Sequence, residues 1–531
     1  MKCEKNILPV AAVLPELCSK LTSHGVAVLS APPGAGKTTL TPLALLEESA
    51  GRILLLEPRR VAARAAASRM ASMLGENVGG TVGYRVRGDV KIGPKTRIEV
   101  VTEGMAVNLI QGDPELRGVT TVIFDEFHER NLAGDLALAL TCDIRDNLRD
   151  DLQLLVMSAT LECERVAALL DDAPIVKSEG KMYPVEVHWG NGFPEGREIA
   201  ARTAALVRRI VASETGSVLV FLPGAREIEE TASQLADLAA PDLRIAPLYG
   251  ALDKFEQDCA IAAPPAGVRK VVLATNIAES SLTIEGVRVV VDTGLERRMR
   301  FLPDCGISRL ELGRISRASA AQRAGRAGRT EPGAVYRLWS EIDHRTLAEN
   351  TRPELCDADL APLMLELAAW GSQPENLRWL DPIPESGRAS GVELLRELEI
   401  LDESGRLTSL GRKVAKLNIH PRLGVMMLEG LKLGLTSLAA ELAALVEERD
   451  PVPRAPGVEI EWRLTEWRRK SRDFFSTQRN PRRSGPALRR KISDTGHRSG
   501  RGAAWLCLSR PHRALAGAAG YKLPVIRRQG R

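Results

Sequence analysis

The sequence predicts an α/β chain: two tandem domains built on parallel sheets, followed by a mainly helical region. Three observations carry this. Short Val/Ile/Leu runs alternate with Ala-, Leu- and Arg-rich helical stretches over the first 340 residues, the pattern of strand–helix–strand units. A Gly- and Pro-rich stretch at 189–202 interrupts that alternation, and turn residues of this kind mark a linker. After about Asn350 the strand-like runs fade into short Leu- and Ala-rich helical stretches.

The first domain offers strands at Val26–Ser30, Ile53–Glu57, Thr96–Val101, Val119–Asp125 and Gln153–Met157. The run Val122-Ile-Phe-Asp125 is apolar and ends in an acid. A central parallel strand that delivers a carboxylate to the sheet's carboxyl edge has this form. The second domain offers Val218–Phe221, Arg244–Leu248, Lys270–Ala274 and Val287–Asp292. Domain limits of 1–202, 203–352, 353–480 and 481–531 follow from these shifts in pattern.

With 531 residues the chain has room for three to five domains, at roughly 100–200 residues each. Apolar residues make up 44 % and charged residues 27 %, which excludes a fibrous or wholly disordered chain. The net charge of +5 is unevenly placed. Residues 481–531 hold 13 Lys/Arg against Asp494, leaving 1–480 with 60 basic and 67 acidic residues and a charge of −7. Basicity therefore belongs to the tail and does not argue that the body binds nucleic acid. Eight scattered cysteines show no metal or redox spacing, as expected of reduced thiols in the cytoplasm. No run approaches the ~20 apolar residues of a membrane span.

Residues 30–40 read Ser-Ala-Pro-Pro-Gly-Ala-Gly-Lys-Thr-Thr-Leu, between a strand and a helical stretch at Leu40–Glu48. Gly34, Ala35 and Gly36 let backbone N–H groups approach a phosphate, and the following helix N-terminus favours the anion. Lys37 would neutralise phosphate charge, Thr38 would ligate Mg²⁺, and Thr39 continues the loop. A plain Gly/Pro turn is the bland alternative. About 90 residues later, Asp125-Glu126-Phe127-His128 ends the apolar strand. Asp125 would hold Mg²⁺ through its water shell, and Glu126 would deprotonate the attacking water. His128 reads as a coupling residue rather than a base. Gln322-Arg-Ala-Gly-Arg-Ala-Gly-Arg329 repeats Arg323, Arg326 and Arg329 every third residue. On a helix that spacing places them near one face, from which guanidinium groups of a second domain reach a γ-phosphate.

With these motifs the chain resembles superfamily 2 helicases of the DEAH/RHA group, and most of all the bacterial HrpB subgroup. The resemblance spans about residues 10–450 and rests on further segments in the same order: Glu57-Pro-Arg-Arg-Val61, Gly83-Tyr-Arg-Val-Arg87, Thr102-Glu-Gly-Met105, Ser158-Ala-Thr160, Phe221-Leu-Pro-Gly224 and Ala274–Ile284. Phe127 stands where the group's naming motif has Ala, as is typical of the subgroup. The resemblance implies two RecA-like P-loop domains, a winged helix at 353–415, and the start of a helical ratchet-like domain at 416–480. It implies ATP, and other nucleoside triphosphates besides, with Mg²⁺. It gives nucleotide roles to Gln322, Arg326, Arg329 and Asp292, and contact with the nucleic-acid backbone to Arg59, Arg60, Thr102, Thr275 and Asn276. It gives coupling roles to Ser158, Thr160 and Thr283. Bases in this family often stack between an Arg, here Arg69, and an aromatic residue, where this chain has Leu295.

The expected function is ATP-driven movement on, or unwinding of, single-stranded nucleic acid, RNA ahead of DNA. A DNA translocase and a nucleic-acid-binding remnant without unwinding activity compete with it. Relatives of the subgroup are longer, and the tail at 481–531 reads either as the product of a frameshift or as a disordered basic arm.

Overall fold

A computed structural model describes residues 8–32, 34–159, 162–180, 183–280, 284–303, 305–329, 331–447, 450, 452 and 459–479. The expected tail at 481–531 lies outside them. Two compact units emerge: one runs to Leu363 and includes Trp370–Ser390, and the other comprises Met364–Ala369 and the described residues from Gly391 onward.

The first unit contains both expected sheets. The first sheet is formed by β1 (Val26–Ser30), β2 (Arg52–Glu57), β3 (Val82–Val86), β4 (Asp89–Lys91), β5 (Ile98–Thr102), β6 (Val119–Phe124), β7 (Gln153–Ser158) and β8 (Ile175–Lys177). Their order is β4-β3-β5-β2-β6-β7-β1-β8, and only the β3–β4 pair is antiparallel. Ala27, Leu29, Ile53, Leu55, Ile123 and Leu155 are fully buried. Strands covered on both faces need such unbroken apolar runs.

The second sheet is formed by β9 (Val185–His188), β10 (Ser217–Phe221), β11 (Leu243–Leu248), β12 (Arg269–Ala274), β13 (Val287–Asp292) and β16 (Gly333–Arg337). The order is β11-β12-β10-β13-β16-β9, parallel throughout. The helix Glu198–Ser213 lies in this lobe and buries Ile199, Thr203, Val207 and Ile210, the spacing of an amphipathic stripe. A separate antiparallel hairpin pairs β14 (Leu295–Leu302) with β15 (Ile307–Arg314).

The sequence reading missed β3, β4, β8, β9, β16 and the hairpin. β9 lies upstream of residue 203 yet closes the edge of the second sheet, so that sheet reaches back across the expected linker. Beyond the sheets, helices follow at Glu385–Glu397, Ser409–Ala415, Pro421–Lys432, Thr436–Glu447 and Ile460–Arg479. A short bridge joins Leu401 to Leu407. Among the described residues, no helix is long and apolar enough to cross a membrane.

Candidate active site

The carboxyl edge of the first sheet gathers the predicted chemistry because β1, β7, β6 and β2 lie side by side in parallel. The glycine-rich loop follows β1, Ser158 ends β7, Asp125 follows β6 and Glu57 ends β2. The loop holds its shape through left-handed glycines, with φ of 85° at Gly34 and 90° at Gly36. A Cβ at Gly36 would stand 2.8 Å from the Leu8 side chain, so this position admits no larger residue without a shift. The Ala35 carbonyl accepts from Val10 N–H at 3.1 Å. The helix Lys37–Glu48 starts at once, earlier than expected, so Lys37, Thr38 and Thr39 occupy its first turn.

Lys37 and Glu126 form a buried ion pair, with Nζ donating to Oε2 at 2.7 Å. Burial opposes the lysine's charge, but Glu126 and then Asp125 hold its pKa above the ordinary value. Burial also opposes the Glu126 charge, yet Lys37 and then His128 hold its pKa down to about 2. Thr38 donates its hydroxyl to Asp125 Oδ2. Burial and the neighbouring Glu126 raise Asp125 to about 6. Glu126 sits at φ 50°, and its N–H donates to Asp125 Oδ1 at 2.8 Å.

Glu57, given no role by sequence reasoning, is fully buried, and among the described residues neither of its carboxyl oxygens has a hydrogen-bond partner. Burial and then Asp125 raise its pKa well above the usual carboxylate value. Its only sequence signal is an acid closing the otherwise apolar run of β2. The residues fit a magnesium nucleotide on two counts. A Cβ at Gly36 would crowd Leu8, and the Thr38 hydroxyl beside the Asp125 carboxyl supplies oxygen donors. Hard oxygen donors suit Mg²⁺.

The second lobe meets this edge through the arginine motif. Arg329 packs over Gly34, its Nε lying 3.6 Å from where a Cβ would stand. Arg326 is buried and donates to the carbonyls of Glu279 and Ser280, and its charge acts on Glu126. Gln322 places its amide 2.6 Å from His128 Nε2, while His128 Nδ1 accepts from Ala159 N–H at 3.3 Å. Burial lowers the His128 pKa, and the neighbouring Glu126 opposes that shift. His128 thus joins Asp125-Glu126, the turn after Ser158, and the second lobe. Ser158 itself is buried, and its carbonyl accepts from Ala31 N–H at 3.1 Å.

One expectation is corrected. The helix carrying the arginine motif ends at Gly325, so Arg323, Arg326 and Arg329 do not share one helical face. Arg323 turns into its own lobe, donating to Glu279 at 2.9 Å and Asp292 at 3.0 Å. Asp292, expected among the nucleotide residues, is fully buried and accepts from Arg323 and from Gly294 N–H. It is an internal anchor of the second lobe. Leu295 lies in that lobe's core. Thr160 and Thr283 lie outside the described residues.

The residues expected to touch nucleic acid follow strand ends too. Arg60 is exposed, and Arg59 pairs with Glu129 at 3.1 Å and reaches Asn276 Oδ1 at 3.5 Å. Thr102 precedes the helix Glu103–Gly112, and Thr275 caps the turn Asn276–Ala278.

Residues 11–169 match the DEAD/DEAH box helicase family, 201–331 the helicase conserved C-terminal domain, and 391–417 the winged-helix helicase associated domain (HA2). The chain is 46 % identical over 472 residues to the ATP-dependent RNA helicase HrpB of Escherichia coli, covering 88 % of this chain and 58 % of that protein. It is 34 % identical over 459 residues to an ATP-dependent RNA helicase HrpA homolog of Haemophilus influenzae, covering 84 % of this chain and 35 % of that protein. It therefore spans less than two thirds of the length of the relatives it matches. A crystal structure of the E. coli DEAH/RHA helicase HrpB superposes with a TM-score of 0.81 at 45 % identity, covering 89 % of this chain and 61 % of that one. With two RecA-like lobes and these motifs in order, the chain belongs to the DEAD/DEAH box helicase family, in its DEAH/RHA-type HrpB group.

Proposed function

We propose that the chain hydrolyses ATP with Mg²⁺ and uses the cycle to move on, or unwind, single-stranded RNA. The observation that carries this is the meeting of Lys37, Thr38, Asp125 and Glu126 of one lobe with Gln322, Arg326 and Arg329 of the other. Bound Mg²⁺ would neutralise charge on the phosphates. Lys37 holds the phosphates, exchanging its bond to Glu126 for them. Glu126, released from Lys37, takes the proton of the attacking water. Arg326 and Arg329 stabilise charge that develops on the transferred phosphoryl group. Because His128 bonds Gln322 across the cleft, the state of the nucleotide alters how the lobes meet. Arg60, Thr102, Thr275 and Asn276 follow the strand ends of both lobes and suit a phosphate backbone, which carries no base sequence.

The test is ATP turnover with and without poly(U) or poly(dT). Stimulation by the RNA is expected, and stimulation by the DNA alone would make the chain a DNA translocase. Glu126→Gln is expected to lower turnover about 10²–10⁴-fold while ATP stays bound. Hydrolysis at the unmutated rate would overturn the assignment of the base.

A further inference from the structure

The turn that presents Glu126 and His128 is held partly from outside the first lobe. Both ends of the turn, Glu126 and Arg130, are left-handed, with φ of 50° and 49°. A residue with a Cβ keeps that conformation only where its neighbours enforce it. Arg130 is buried, and its Nε and one terminal nitrogen each donate to Asp135 at 3.0 Å. Its other terminal nitrogen donates to Asp381 at 2.7 Å. Asp381 is gripped in turn by Arg165 at 2.7 Å, which also donates to the Leu380 carbonyl at 3.0 Å. The Arg130 carbonyl accepts from Glu354 N–H at 3.1 Å, and Leu132 N–H donates to the Glu354 carboxylate at 2.8 Å. Glu354 and Asp381 both lie beyond the second lobe in sequence. The same short turn, Glu354–Cys356, leads to Asp357, whose carbonyl accepts from Phe301 N–H of β14 at 2.7 Å.

We propose that Glu354 and Asp381 are positioning residues for hydrolysis: together they fix the Glu126–Arg130 turn and tie its geometry to the β14–β15 hairpin of the second lobe. The proposal rests on the ATPase reading above. Neither residue touches nucleotide. They act through Arg130 and Leu132 on the direction in which Glu126 points. Glu354 accepts on one carboxylate oxygen, so an amide should serve nearly as well there, whereas Asp381 accepts on both and an amide keeps only one of its bonds. A charge needed only for general stability would not show that tolerance together with a selective effect on kcat.

The test uses the full chain with Glu354→Ala, Asp381→Ala, Glu354→Gln and Asp381→Asn. Each alanine variant is expected to lower kcat about tenfold with KM for ATP within about twofold, since small misplacements of catalytic groups act on the chemical step. Glu354→Gln should recover most of kcat, and Asp381→Asn only part of it. With poly(U), the ratio of stimulated to basal kcat should fall in Glu354→Ala. Amide exchange, read without nucleotide, should speed up at Leu132 in Glu354→Ala and not in Glu354→Gln. Should the alanine variants fold poorly, Arg130→Lys, which loses the two-point grip on Asp135, must give the same kcat-only loss. Unaltered kcat in the alanine variants, a rise in KM alone, or unaltered exchange at Leu132 would each overturn the proposal. An unmutated chain that fails to hydrolyse ATP would instead overturn the ATPase reading, whatever the exchange experiment shows.

Discussion

Arg323 and Arg329 stand six residues apart in one motif, and their surroundings give them opposite tasks. Arg323 is buried among Asp292, Glu279 and Glu296. Those acids hold its pKa above the ordinary arginine value despite burial. Arg323→Ala should therefore cost about 3–5 kcal/mol of stability in a denaturant titration, by stranding buried acids. Arg329→Ala should leave the denaturation midpoint nearly unmoved and lower ATP turnover about 10³-fold or more. The three-residue spacing made the motif legible in the sequence. It could not reveal that the helix stops at Gly325, because that depends on how the second lobe packs. Glu103 gives a prediction of another kind. Burial, then Glu129, raises its carboxyl to about 8 from the usual 4.5. The unfolded chain loses this proton as pH rises past 4.5 while the folded chain keeps it to about 8, so this group lowers stability progressively across that window. Glu103→Gln keeps an oxygen to accept from Asn131, which donates to Glu103 at 3.1 Å. Urea midpoints of the two proteins should match near pH 4 and separate, in favour of the variant, up to about pH 8.

Among the elements, the phosphate loop shows how a strand, a turn and a helix start act as one unit. Gly36 combines φ 90° with Leu8 behind it. Gly36→Ala should cost about 1–2 kcal/mol of stability, from the left-handed backbone of a residue with a Cβ. It should also weaken binding of a fluorescent ADP analogue, measured by titration. This loop and the apolar strands β1, β2, β6 and β7 were legible because each is a local pattern. β9 was not. Its residues Val185-Glu-Val-His188 alternate with polar side chains and are half-buried or exposed, so they look like linker until β16 pairs with them. The hairpin was hidden differently. Arg297, Arg298, Arg300 and Arg309 crowd its strands, and a two-stranded ribbon outside both sheets needs no apolar run. Glu57 and the Arg130–Asp381 pair were illegible because their meaning lies in what surrounds them: 251 residues separate Arg130 from its partner.

For the whole molecule, the charge division of the sequence sets an expectation about binding. With −7 on residues 1–480, affinity for nucleic acid must come from a few placed cations rather than from a general field. Arg60→Ala should weaken binding of poly(U) and poly(A) equally and reduce the slope of log affinity against log salt by about one. Arg59, already paired with Glu129, should change that slope less. The two sheets also differ in how sequence order maps onto space. Every strand of the first lies within residues 26–177, whereas the second borrows its edge from before its own first helix. A fragment begun at residue 203 would therefore leave β16 with a bare row of N–H and C=O groups, an open template for another copy's strand. Such a fragment should aggregate on concentration, and one begun at residue 184, with its own edge strand in place, should stay monomeric in a sizing column.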